Sequence, residues 1–388
     1  MELSVFAILT SLVGGLALFL FGLDQLAGSL KAVAGDRMKA LLARLTRNRV
    51  VGVLTGAFVT AVIQSSSVTT VLVVGFITAG LMTATQAVGV IMGAHIGTTV
   101  TAQILAFRIT EYALLLVAVG FGLAFAGRRG IVRKYGTGIM GLGLVFFGMG
   151  IMGEAVAPLR SHPAFMRVMA SLARPEAGIL AGALFTAVVQ ASAATAGIAI
   201  VLAGQGVLSL AGGIAIILGA NVGTCVTALL ASIGKPREAV RAALLHVLIN
   251  VTGVLLWLPF LEQLADLVRW ISPHAPGLGG ATRIAAEAPR QIANAHTVFN
   301  VVNTVVFLPF ATAFVKAVRL IVPERRAEEE GVVRAKYLDA GLLVTPSLAL
   351  DRARLELLRM GDAVKKMLLT ALPAVLAGSR ESLEAVRE

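Results

Sequence analysis

Two short polar clusters break into long apolar stretches of this chain. The first is Gln64, Ser65, Ser66 and Ser67, followed by Thr69 and Thr70; the second is Gln190, Ala191, Ser192 and Ala193, followed by Thr195. Hydroxyls and amides at this density supply hydrogen-bond donors and uncharged oxygen ligands. Donors suit an anion rich in acceptor oxygens, and uncharged oxygens suit a hard cation. Neither cluster holds Lys or Arg, so an anion there needs cations from elsewhere to balance its charge. Covalent catalysis fits poorly, because Ser66 has no His or Lys base within its motif to activate it. A single buried Ser or Thr commonly does no more than join helices or satisfy backbone. A dense cluster that occurs twice points beyond that role.

The elements that position these clusters are themselves duplicated. Gln64 and Gln190 are 126 residues apart, and the register holds without a gap from Gly22 and Gly148 through Gly56 and Gly182, Thr60 and Thr186, Gly80 and Gly206, Gly93 and Gly219, Gly97 and Gly223, Thr98 and Thr224, to Thr101 and Thr227. The chain is a repeated unit with one polar tip per copy.

Composition places both copies in a membrane. Of 388 residues, 57% are hydrophobic and 14% charged, against about 25% charged in soluble domains. Apolar runs near the length of a bilayer-spanning helix recur, and the 41 glycines suit helices packed closely in lipid. The net charge of +12 sits in short loops, which is a topology signal rather than a nucleic-acid footprint. Cys225 is the only cysteine, so no intrachain disulfide forms. The first apolar run shows no cleavable signal pattern.

Spans are expected at 4–27, 86–107, 111–127, 137–157, 212–233, 242–261 and 292–321. Those at 86–107 and 212–233 are expected to be interrupted, at 93–99 and 219–225. Around each tip lie two apolar halves, 50–63 with 68–80 and 178–189 with 194–206. Each is too short to cross a core of about 30 Å at 1.5 Å per residue. A single long span with buried serines competes with a re-entrant hairpin. The hairpin is favoured, because irregular backbone is tolerated where it lines a cavity. Three crossings per copy invert the second copy relative to the first. The basic segments 31–49, 128–134, 235–241 and after 321 then share one face, the cytoplasmic one by the positive-inside rule, with the N-terminus outside. The expected class is thus an all-α polytopic membrane protein with two inverted-topology repeats, each holding a re-entrant helical hairpin and an interrupted transmembrane helix. Its parts are 1–136, 137–261, a loop and last span at 262–323, and a cytoplasmic region at 324–388.

A smaller echo joins His246 and Asn250 to His296 and Asn300, an offset of 50, and each continues to Leu-Pro-Phe. His and Asn four apart share a helix face; polar joining of helices is the favoured role. Beyond residue 324 a charged run reads as a linker, and 348–388 as a soluble amphipathic helix.

Inverted repeats with interrupted helices mark secondary transporters with a midplane site. Each tip precedes a half-helix whose N-terminus favours an anion. The residues alone thus indicate a cation-coupled oxyanion transporter. The paired tips, each followed by Gly-Ala-x-x-Gly-Thr, resemble the type II sodium-phosphate cotransporter family over about 1–323. The stretch 337–367 looks like the start of a PhoU-like domain. The resemblance implies sodium-driven phosphate uptake by an elevator-like shift, with no cofactor beyond the coupling Na+. It makes Ser65, Ser66, Ser67, Thr69, Ser192 and Thr195 the phosphate contacts. Gln64, Gln190, Gly93, Thr98, Thr99, Gly219, Asn221 and Thr224 become the sodium ligands, with His95, Asn250 and Asn300 behind them. Expected partners are phosphate, sodium and the lipid bilayer of a bacterial inner membrane, without nucleic acid; a homodimer is left open. Ala191, Ala193, His95 and Cys225 depart from the family pattern, which leaves the sodium count and the identity of the anion open. Another oxyanion, proton coupling and a phosphate sensor acting through the tail are the alternatives.

Overall fold

The computed structural model describes residues 5–34, 48–78, 82–107, 109–127, 130–235, 237–323, 335–339, 342 and 346–377. The basic positions at 37–47, Arg128, Arg129, Gly80 and the linker at 324–330 lie outside them. The described residues are helices and turns, in two compact units, Met1–Pro323 and Glu324–Glu388.

The helices of the first unit are α1 (Val5–Ala34), α2 (Arg49–Ile63), α3 (Ser66–Thr78), α4 (Ala84–Leu105), α5 (Ala113–Ala126), α6 (Gly130–Val156), α7 (Pro163–Ser171), α8 (Pro175–Val189), α9 (Ser192–Gly204), α10 (Leu210–Gly223), α11 (Cys225–Ser232), α12 (Arg237–Trp257), α13 (Leu261–Ile271), α14 (Gly280–Phe307) and α15 (Ala311–Ile321). Among the described residues six helical stretches are long and apolar enough to cross a membrane: Val5–Ala34, Ala84–Leu105, Gly130–Ser161, Leu210–Ser232, Arg237–Ile271 and Thr282–Ile321. The seventh expected span falls on a shorter apolar stretch, Thr110–Ala126. Between the expected span at 137–157 and the second hairpin lies a further helix, α7, which bends by 95° into α8.

The repeat is visible in the helix bounds. Arg49–Ile63 and Pro175–Val189 are register equivalents, 15 residues each, and so are Ser66–Thr78 and Ser192–Gly204, 13 residues each. At 1.5 Å per residue the longer arm reaches only about 22 Å, short of a core of about 30 Å.

The expected interruption in the first copy is absent: α4 runs unbroken through Gly93 and Gly97. Only the second copy breaks, at Thr224 between α10 and α11. The glycines serve close approach. A methyl group at Gly93 would lie 2.1 Å from the Val53 carbonyl oxygen, and one at Gly97 2.4 Å from that of Ala57, both on α2. Gly219 and Gly223 meet the equivalent oxygens of Ile179 and Ala183 on α8, at 2.0 and 2.5 Å. Gly56 and Gly182 answer from the facing helices, 2.3 Å from Val90 and 2.1 Å from Ile216. Real Cβ atoms do not approach a carbonyl so closely, so glycine is what lets the first arm of each unit lie on the following span. Thr98 does not disturb α4, because its hydroxyl donates back to the Ala94 carbonyl at 2.9 Å.

α1 and α6, the first helices of the two copies, meet antiparallel. A methyl at Gly22 would lie 2.6 Å from the Gly141 oxygen, and one at Gly148 2.5 Å from the Gly15 oxygen. Gly141 and Gly148 are the register partners of Gly15 and Gly22, so the contact is reciprocal. Between them Phe19, Val145 and Phe146 are fully buried.

In the second unit, α16 (Pro346–Ala377) carries Glu356, whose carboxylate accepts the backbone N–H groups of Lys336 and Tyr337 at 2.9 and 2.8 Å. Leu357, Leu358, Val364 and Leu368 of this helix are exposed.

Candidate functional site

The two polar tips share one cavity of about 220 Å3. Gln64, Ser65, Ser66 and Ser67 line it from the first copy, and Gln190, Ala191, Ser192 and Ala193 from the second. Thr98 and Thr101 of α4, Thr224, and Leu20, Leu23, Asp24 and Ala27 of α1 complete the lining.

Each tip turns on its glutamine. Gln64 has φ 58° and ψ 24°, and Gln190 has φ 56° and ψ 25°; they are the only non-glycine residues with positive φ among the described residues. Glycine takes this left-handed conformation at least cost. A long amide held there in both copies is a strained position of the kind found at functional sites. Each Gln backbone N–H donates to the carbonyl four residues earlier, Thr60 or Thr186, at 2.7 Å. Behind the turns, Thr60 bonds Thr69 at 2.8 Å and Thr186 bonds Thr195, so hydroxyls tie the two arms of each unit together.

The turns start new helices at Ser66 and Ser192. In the first, the Ser65 hydroxyl accepts the Val68 N–H at 3.2 Å. In the second, the equivalent cap is Ala191, with no side-chain oxygen to offer. Both helix N-termini aim their positive dipole ends at the cavity that holds the serine hydroxyls. Among the described residues no Lys, Arg or His lines it, and Asp24 is its single ionisable side chain.

The glutamine side chains differ. The Thr101 hydroxyl donates to Gln64 Oε1, and Gln64 Nε2 donates to the Ala61 carbonyl. The register equivalent of Thr101 is Thr227, whose hydroxyl is buried without a hydrogen-bond partner. Gln190 is exposed, whereas Gln64 is half-buried.

Of the residues singled out from the sequence, Gln64, Ser65, Ser66, Ser67, Thr98, Gln190, Ser192 and Thr224 line the cavity. Thr69 and Thr195 stand behind the tips. Thr99 and Asn221 are buried and donate to the carbonyls of Ile96 and Ile217, and Gly93 and Gly219 pack against the neighbouring arms. His95 is not in the lining; it bonds Asn250 at 3.3 Å and its ring lies 4.8 Å from that of His246. Asn300 donates to the His296 carbonyl within α14, as Asn250 does to that of His246. Asp24 and Thr101 line the cavity although motif spacing does not nominate them. The signal for Asp24 is a lone carboxylate late in a 30-residue apolar helix.

Comparison with known proteins agrees with this architecture. The profile of the Na+/Pi-cotransporter family matches residues 18–154 and 161–272, which takes in both tips and both spans packed against them. The chain belongs to the Na+/Pi-cotransporter family. It is a multi-span helical membrane protein from a family of transporters, not of enzymes. It is 28% identical over 381 residues to YjbB of Salmonella typhimurium, a protein provisionally named for inorganic phosphate export; the match covers 98% of this chain and 67% of YjbB. It is 28% identical over 319 residues to YqeW of Bacillus subtilis, whose name assigns no function, covering 82% of this chain and 99% of YqeW. A shorter match, 34% over 110 residues, links it to sodium-dependent phosphate transport protein 2C of Rattus norvegicus, covering 24% of this chain and 18% of the rat protein. The chain spans about two thirds of the length of the YjbB relatives. No solved structure matches the chain.

Proposed function

We propose that the chain is a sodium-coupled symporter of inorganic phosphate, with phosphate held between the two tips. The observation that carries this reading is the cavity's chemistry: hydroxyls and two helix N-termini face it, and among the described residues no cationic side chain does. Burying a divalent anion without a counter-charge is costly. Sodium ions from solution supply that charge, on the oxygens of Gln190, Thr98 and Thr224, with Gln64 holding the first tip in place through Thr101. Ser66, Ser67 and Ser192 contact phosphate, while Thr69 and Thr195 brace the turns.

The reciprocal crossing of α1 and α6 supports inverted repeats. A two-fold axis that reverses a helix stands perpendicular to it, and so lies in the membrane plane if the helix crosses the bilayer. The short arms then act as re-entrant hairpins from opposite faces, and a shift of the hairpin-bearing part alternates access. The distribution of basic segments favours an N-terminus outside and a tail in the cytoplasm.

Each charge crossing 100 mV involves about 2.3 kcal/mol. Divalent phosphate therefore enters a negative cell unopposed only with at least two Na+. An inward sodium gradient makes the symporter an uptake system. A second reading, outward phosphate movement, is favoured by the name of the YjbB relatives. Proteoliposomes holding the purified chain decide between them. Labelled phosphate should accumulate when sodium is high outside and should not when choline replaces it. Phosphate movement down its own gradient, indifferent to sodium, would remove the coupling, and preference for sulfate would replace the substrate.

A further inference from the structure

We infer that Asp24 forms a single monovalent-cation site, for Na+, that must be filled before an anion enters the cavity; this rests on the sodium-coupled reading above. Asp24 shares one face of α1 with Leu20, Leu23 and Ala27, and that face forms one wall of the cavity. The lining neighbours on this face are apolar, and the one basic residue of α1 among the described residues, Lys31, lies two turns further along and outside the lining. Asp24 makes no hydrogen bond or ion pair among the described residues. The Asp24 carboxylate, exposed at the wall of a cavity of about 220 Å3 and without a partner among the described residues, repels any anion brought to the tips. A cation held between the carboxylate and the anion turns that repulsion into attraction. The oxygens that complete such a site are uncharged ones in the same lining: that of Thr98, and the Gln64 amide oxygen, which keeps a second lone pair beyond the one that accepts the Thr101 hydroxyl and braces the tip. Hard monovalent cations accept that mixture of one carboxylate and neutral oxygens.

Asp24 is also the lining residue that breaks the repeat most sharply. Gln64 and Gln190, Ser66 and Ser192, and Thr98 and Thr224 come in register pairs on the cavity wall. The register partner of Asp24 is Gly150 on α6, where an added methyl would meet nothing within 4 Å. Packing therefore does not forbid a second carboxylate there. The cavity carries one fixed negative charge, on α1 rather than on either hairpin, and one cation answers it.

The test is equilibrium binding of radiolabelled sodium and phosphate to the purified full-length chain in detergent, with uptake in proteoliposomes beside it. Wild type should bind sodium alone, and phosphate only when sodium is present. Asp24→Asn should raise the sodium concentration for half-saturation at least tenfold, and should lower the sodium bound at saturation by one ion per chain. It should also let phosphate bind weakly without sodium. Asp24→Glu should keep the sodium requirement, and an unchanged melting temperature in both variants excludes misfolding. Three results overturn the inference: Asp24→Asn with wild-type sodium binding; Asp24→Asn that tightens phosphate at every sodium concentration without altering sodium binding; or loss of pH dependence alone, which makes the ligand a proton. If wild type itself shows no sodium-dependent phosphate binding, the sodium-coupled reading fails first.

Discussion

The two tips have nearly the same backbone and unlike side-chain anchoring. Gln64 and Gln190 turn the chain at φ 58° and 56°, and each turn starts a 13-residue helix. Around the first, Ser65 caps the new helix and Thr101 holds the glutamine amide. Around the second, Ala191 offers no cap, Gln190 is exposed, and Thr227 has a buried hydroxyl with no partner. Helix packing, set by glycines at matched positions, thus fixes the shape of a tip independently of the polar groups it presents. The first tip is held ready by hydrogen bonds; the second relies on its backbone.

The largest effects should be equal in the two copies, because they concern packing. Gly93→Val and Gly219→Val each drive a side chain into a carbonyl oxygen 2.1 or 2.0 Å from the new Cβ. Each should cost about 3 kcal/mol or more, read as a collapse of the melting temperature in detergent. A large gap between the two variants would break the structural equivalence. Next come the serines. Ser66→Ala should lower phosphate uptake about tenfold or more, the scale of a lost hydrogen bond to a charged group. Ser192→Ala should cost less, since its tip contributes fewer hydroxyls; the reverse order in liposome uptake removes the asymmetry.

Smaller effects probe the glutamine anchors. Thr101→Val should destabilise by about 1 kcal/mol, with reduced uptake, because Gln64 loses its partner. Thr227→Val should be neutral or stabilising by a similar amount, since it deletes a buried hydroxyl that bonds nothing. Melting curves of the pair measure the difference directly. The mildest changes report sidedness. On a Cys225→Thr background, Ser65→Cys should react with an impermeant thiol reagent from the cytoplasmic face and Ala191→Cys from the outer face. Sodium with phosphate should slow both reactions. Labelling of both from one face contradicts inverted hairpins.

Much of this was legible in the sequence, because the register at offset 126 and the apolar arm lengths follow from residue order alone. The arms expected at 50–63 and 68–80 are α2 and α3, which start one and two residues earlier; 79 and 80 lie outside the described residues. What misled was glycine, which serves both breaks and close contacts. Gly93 and Gly97 read as a break until the carbonyls of Val53 and Ala57 are seen against them. Thr69 and Thr195 read as site hydroxyls, but each bonds the threonine of the preceding arm, Thr60 or Thr186, behind the turn. Asp24 lies 40 residues before the first tip, and only the approach of α1 to the cavity connects them.

The α1–α6 crossing bears on how such a chain could arise. Gly15 and Gly22 meet the register equivalents of one another, so the surface between the copies is self-complementary. A polypeptide holding a single copy would carry a face that fits a second molecule of itself in antiparallel orientation, as in an isologous two-fold dimer. Fusing two such molecules leaves that seam intact and relieves the copies of the need to remain identical. Asp24 in register with Gly150, and Ser65 with Ala191, are the kind of divergence that a fused pair can keep and a homodimer cannot.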